Sequence, residues 1–139
     1  MIESLKEKLQ DIFLYYGTRI AYLFGSQIKG NMGPLSDVDI AVVFSSELKP
    51  EERFSKRLSL LHDIMQALET ANLDLVVLND APVSISFNVI REGQVLFSQD
   101  RSYQMKFEET VIRDYLDTEF LRQTYNKAFF THIAEELAQ

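Results

Sequence analysis

Four short apolar segments, 19–24 (RIAYLF), 36–44 (SDVDIAVVF), 73–78 (LDLVVL) and 94–98 (QVLFS), alternate with longer stretches of helical periodicity. This alternation restricts the fold more than any other feature, because short apolar runs rich in β-branched residues read as buried strands. Between them, Leu5, Leu9, Ile12, Phe13 and Tyr16 recur at three-and-four spacing and predict a helix over 3–16, stopped by Gly17. Phe54, Leu58, Leu61, Ile64, Met65 and Leu68 predict a second helix over 49–70, with Pro50 near its first turn. Asn79, Asp80 and Pro82 read as the cap and first turn of a helix through Arg91, with Asp80 as the capping residue. From about Arg101 the chain reads as helical to its end, with a break near Asp117 and Thr118. The class expected is α/β (α+β), a small mixed β-sheet flanked by helices with further helices at the C-terminus. At 139 residues the chain is expected to form a single domain, 1–139, with a core of about 1–98 and a C-terminal helical region of about 101–139.

Composition narrows the chemistry. A net charge of −7 and a pI near 4.8 argue against direct nucleic-acid binding, which needs clustered Lys and Arg. No apolar run approaches the roughly 18 residues of a membrane span, and the start "MIESLKEKLQD" has no secretory h-region, so the expected location is cytoplasmic. With no cysteine, thiolate metal ligands and a cysteine nucleophile are both excluded, and hard cations held by oxygen are favoured.

Within the second strand, Asp37 and Asp39 stand two apart and so project to one face, about 6 to 7 Å apart along the backbone, while Val38, Ile40 and Val42 face the other way. Two like charges repel by about 4 kcal/mol at 4 Å and an effective dielectric near 20, so a folded site holding both calls for a cation or a shared proton. Magnesium suits the pair, since it accepts one or two carboxylates and completes its shell with water and phosphate oxygens. Ser26 follows Gly25 at a strand-to-helix turn, where a hydroxyl and free backbone N–H groups can meet an anion. Asp74 opens the third strand and is the candidate third carboxylate. Three acids, two Mg²⁺ ions and a triphosphate would compose a two-metal nucleotidyl-transfer site.

The Gly25-Ser26 pair, the ten-residue gap and the Asp37-x-Asp39 motif together resemble the signature of the DNA polymerase beta nucleotidyltransferase superfamily, and specifically its minimal nucleotidyltransferases (MNT). The segments "LDLVVLNDAPVSISFNVIREGQVLF" (73–97) and "DRSYQMKFEETVIRDYLD" (100–117) further resemble the MNT antitoxins that accompany HEPN toxins. The resemblance implies a nucleotidyltransferase fold, Mg²⁺ bound by Asp37, Asp39 and Asp74, and a triphosphate held by Gly25 and Ser26. It also implies a type VII-like antitoxin that transfers AMP from ATP to a tyrosine of a cognate HEPN ribonuclease, in a hetero-oligomer with it. Where family members often carry Arg and Ala after the serine, this chain has Gln27 and Ile28, and Lys29 is the candidate replacement phosphate cation. Two other readings are open: an antitoxin that acts by binding alone, and a nucleotidyltransferase for a small molecule such as an aminoglycoside.

The remaining polar residues have simpler expectations. Asp63, Glu69 and the Glu51-Glu52 pair read as solvated helix faces, and His62 and His132 as isolated from chemistry. Tyr103, Phe107, Tyr115, Phe120, Tyr125, Phe129 and Phe130 divide between core and a partner-binding surface, since adjacent Phe129 and Phe130 cannot share one helix face.

Overall fold

The computed structural model describes residues 2–25 and 38–137. Within them the alternation becomes helix α1 (Ile2–Tyr15), strand β1 (Ile20–Phe24), strand β2 (Val38–Val43), helix α2 (Pro50–Leu68), strand β3 (Leu73–Val77), helix α3 (Val83–Glu92), strand β4 (Gln94–Ser98) and helix α4 (Arg101–Leu137). The strands form one sheet in the order β3-β2-β1-β4, with β1 antiparallel to β2 and β4, and β2 parallel to β3. A parallel pair needs a crossover, and α2 supplies it. This is the mixed α+β architecture expected from the sequence. Gly17 ends α1 at φ +68, a left-handed conformation open to glycine at little cost.

Strand alternation divides the interior into two layers. Leu23, Ile40, Val42 and Leu75 pack with Leu9 and Phe13 of α1 and with Leu60 and Ile64 of α2. Ile20, Tyr22, Ala41 and Val43 face the other way, against Val89 of α3 and Tyr103 and Phe107 of α4. The register of α2 differs from the sequence expectation: Leu60 and Ile64 are buried, whereas Phe54 and Leu58 are exposed. Its apolar positions outnumber those that one narrow stripe can bury, so periodicity alone leaves the inward edge ambiguous.

Helix α4 docks through specific polar and aromatic contacts. The Arg19 guanidinium lies 4.0 Å from the centroid of the Tyr103 ring, the Tyr22 hydroxyl donates to Glu108 at 2.9 Å, and Phe87 stacks on Tyr115 at 3.9 Å. As α4 advances from 103 to 108 its contacts step from Arg19, just before β1, to Tyr22 within it, so this part of α4 runs in the same sense as β1. Burial, with the Glu108 hydrogen bond, pushes the Tyr22 hydroxyl far above its ordinary titration range. Tyr22→Phe is expected to cost about 1 kcal/mol, since Glu108 retains the Gln104 amide at 3.2 Å. A urea midpoint that falls with an unchanged m-value checks it, and an unmoved midpoint would refute it.

Several expectations are corrected. Helix α4 is unbroken at Asp117 and Thr118, because the Thr118 hydroxyl donates to the Asp114 carbonyl at 2.9 Å and is absorbed within the helix. Asp80 does not cap α3, whose N-cap residue is Pro82. Instead Asp80 accepts a fork from Arg53, Nη2 at 2.6 Å and Nε at 3.0 Å, and this guanidinium holds its carboxyl below the usual carboxylate range. Asp63 is more than a solvated acid: it accepts a short hydrogen bond from the Tyr16 hydroxyl and ties α1 to α2, which pushes the phenol up to about 12. Glu52 accepts from the Lys49 backbone N–H at 3.2 Å and caps the start of α2.

Candidate functional site

Asp39 is the second residue of β2, and its register partners are Phe24 on β1 and Asp74 on β3. Residues in register on neighbouring strands project to the same face, with strands about 4.8 Å apart. Asp39 and Asp74 therefore meet side by side, at the sheet end formed by the close of β1 and the beginnings of β2 and β3. The following residues, Ile40 and Leu75, turn into the core and fix the direction of both acids. Asp39 is half-buried and Asp74 exposed.

Gly25 closes the site on the other side. It adopts φ +85, and a Cβ built there would lie 3.1 Å from the Asp39 Cγ and closer still to Oδ2. Only a residue without a side chain lets the turn after β1 pass this close to the carboxylate. The structure thus brings together three of the residues singled out from sequence, Gly25, Asp39 and Asp74. Ser26, Lys29 and Asp37, together with Gln27 and Ile28, lie outside the described residues. Among the described residues no group of three or more His, Cys, Asp or Glu side chains is placed to hold a metal. Two acids beside a side-chain-free turn fit magnesium, which takes one or two carboxylates and fills its shell with water and phosphate oxygens.

Next to Asp74 a groove of about 540 Å³ runs between the outer edge of β3 and α2. Arg53 and Arg57 of α2 line it with Phe54, Asp74 and Asp80. Arg53 is neutralised by Asp80. Arg57 donates through Nε to the Leu75 carbonyl at 2.8 Å, and no carboxylate among the described residues lies within ion-pair distance of it. Sequence reading passed over Arg57. The available signal was an arginine pair at i and i+4 in a strongly acidic chain, opposite the strand that begins with Asp74. No helix among the described residues is long and apolar enough to cross a membrane.

Several solved structures share this fold. One chain in a structure of the tri-AMPylated Shewanella oneidensis HEPN toxin with an MNT antitoxin is 23% identical, at a TM-score of 0.68, over 94% of this chain and 99% of that one. A toxin–antitoxin structure with AMP-PNP matches at 24% identity and a TM-score of 0.70, over 90% of this chain and 98% of that one. A third, the toxin–antitoxin MntA-HepT, matches at 22% identity and a TM-score of 0.67, over 92% and 98% respectively. No curated protein sequence matches the chain. Residues 7–102, which run from α1 through β4 and contain both aspartates and the Gly25 turn, match the family described as Polymerase beta, Nucleotidyltransferase, and the chain belongs to that family.

Proposed function

We propose that this protein is an antitoxin that transfers AMP from ATP to a tyrosine of a cognate HEPN toxin in the cytoplasm, and so neutralises it. The observation that carries the reading is the in-register pairing of Asp39 and Asp74 beside the Gly25 turn. Asp37 and Ser26, by the sequence motif, complete the metal and triphosphate ligands. Magnesium, when bound, neutralises the acids and the triphosphate and stabilises the pyrophosphate that leaves. The phenol oxygen of the acceptor attacks the α-phosphorus, the bond to the bridging oxygen breaks, and pyrophosphate departs. A phenol with a pKa near 10 needs a base at neutral pH, and exposed Asp74, at the outer strand, is the residue placed to take its proton. Gly25 admits the nucleotide to the site, and Asp39 orients it from the centre.

A protein acceptor is favoured by α4. Its 37 residues span about 55 Å at 1.5 Å per residue, and its second half presents large apolar side chains to solvent. There Phe120, Leu121, Tyr125 and Phe129 are all at least half exposed. Aromatic anchors of this kind suit a protein interface. The similar structure of a HEPN toxin in complex with an MNT antitoxin supports this reading. Tyr125→Ala is expected to weaken binding of the toxin by about 2 kcal/mol, roughly 30-fold in Kd, with the melting temperature of the free protein unchanged. Titration calorimetry checks it, and an unaltered Kd would remove Tyr125 from the interface. The activity itself is tested by pyrophosphate release from Mg-ATP in the presence of the toxin. Release that stops with EDTA supports the reading, and release that continues would defeat it.

A further inference from the structure

We infer that the outer edge of β3, with the groove beside it, is a docking surface for an extended peptide segment that carries a carboxylate and joins the sheet as a further strand. The inference is independent of the AMP-transfer reading. The groove lies on the α2 side of the sheet, with Leu75 and Val77, whereas Asp39 and Asp74 project to the opposite face, with Phe24 and Val76.

Strand β3 ends the sheet order, and no strand among the described residues lies beyond it. The Asn72 carbonyl accepts from the Val38 backbone N–H of β2 at 2.9 Å. By alternation the backbone groups of Asp74 and Val76 also turn to β2, and those of Leu73, Leu75 and Val77 point outward. An outward row of this kind is a template for another chain, and β3, LDLVV, is apolar apart from Asp74. Its five residues give an edge of about 16 Å at 3.3 Å each. The groove of about 540 Å³ follows this edge, with Pro50 and Phe54, the latter 62% exposed, on its far wall.

Arg57 selects the occupant. Its Nε donates to the outward Leu75 carbonyl at 2.8 Å, in the place that the N–H of an added strand would take. Arg53 is engaged by Asp80, while Arg57 has no ion-pair partner among the described residues. An incoming strand must therefore displace Arg57. A strand with uncharged side chains gives the half-buried guanidinium nothing in exchange, so the contact guards the edge. A strand with a carboxylate on the α2 side gives it a charge-assisted partner, while the strand's own N–H takes over the Leu75 carbonyl. A second copy of β3 fails this requirement, because its one acid, Asp74, projects to the other face. Main-chain bonds supply the affinity of such an addition, Arg57 its choice of charge, and Phe54 a contact for aliphatic neighbours of the acid.

The test is a 15N NMR titration of the full chain with the capped heptapeptide Thr-Val-Thr-Glu-Thr-Val-Thr, which puts its Glu and both Val on one face, and with its Gln counterpart. The Glu peptide is expected to bind about 10-fold more tightly, the effect of one charge-assisted contact, with shifts at the amides of Leu73, Leu75 and Val77. Arg57→Ala is expected to bind the two peptides equally, and Arg57→Glu to prefer a Lys-centred peptide to the Glu peptide. Pyrophosphate release by Arg57→Ala is expected to match the wild type, which separates this surface from the transfer site. Failure of both peptides to bind the wild type, equal binding of the two, or shifts confined to residues outside β3 and α2 would overturn the proposal. Concentration-dependent shifts of the same amides without peptide would assign the edge to a second copy and overturn it as well.

Discussion

Asp39→Asn is expected to reduce AMP transfer by roughly 10²–10³-fold or more while leaving the fold intact. Asp39 lies between Phe24 and Asp74 in the sheet register, so in the proposed reading it is the central acid of the site. The amide matches the carboxylate in shape and keeps the Gly25 turn undisturbed, but it removes the charge that would hold magnesium. Incorporation of labelled AMP into the toxin and a thermal melt, run on the same preparation, separate the two effects. Undiminished labelling would contradict the assignment of Asp39.

Gly25→Ala is expected to be nearly as severe for a different reason. At φ +85 an L side chain is strained, and its Cβ would press on the Asp39 carboxylate, 3.1 Å from Cγ. Either the turn or Asp39 must move. Backbone strain of this kind costs about 1–2 kcal/mol, and misplacing a catalytic group by about 1 Å costs on the order of 10²-fold in rate. Activity should therefore fall by about 100-fold, with a melting temperature lower by several degrees, in contrast to Asp39→Asn. A crystal structure of the variant should show the Asp39 side chain displaced. Full activity at Gly25→Ala would mean that the turn and Asp39 do not need to be in contact.

The strands and the faces of their residues were legible because period-two alternation leaves little freedom for a buried strand, whereas the contact of Gly25 with Asp39 depends on the antiparallel β1–β2 pairing. Asp74 could be anticipated as the first acid of β3, but its register opposite Asp39 depends on the parallel β2–β3 pairing, which is a long-range fact. The rest was hidden by the same kind of contact. Asp80 looked like a helix cap until Arg53, 27 residues earlier, took its carboxylate. Asp63 looked solvated until the Tyr16 hydroxyl, 47 residues away, reached it. Phe54 and Leu58 looked like core because α2 has apolar residues around more of its circumference than the sheet covers. Arg57 carried only the local signal of an arginine pair at i and i+4, and its meaning comes from the strand edge it faces.

The most direct measurement is the intact mass of the HEPN toxin after co-expression with the wild-type protein and, separately, with Asp39→Asn. The account predicts a toxin heavier by whole AMP units, on tyrosine, with the wild type, and an unmodified toxin with the variant. An unmodified toxin in both cases, or equal modification in both, would contradict it.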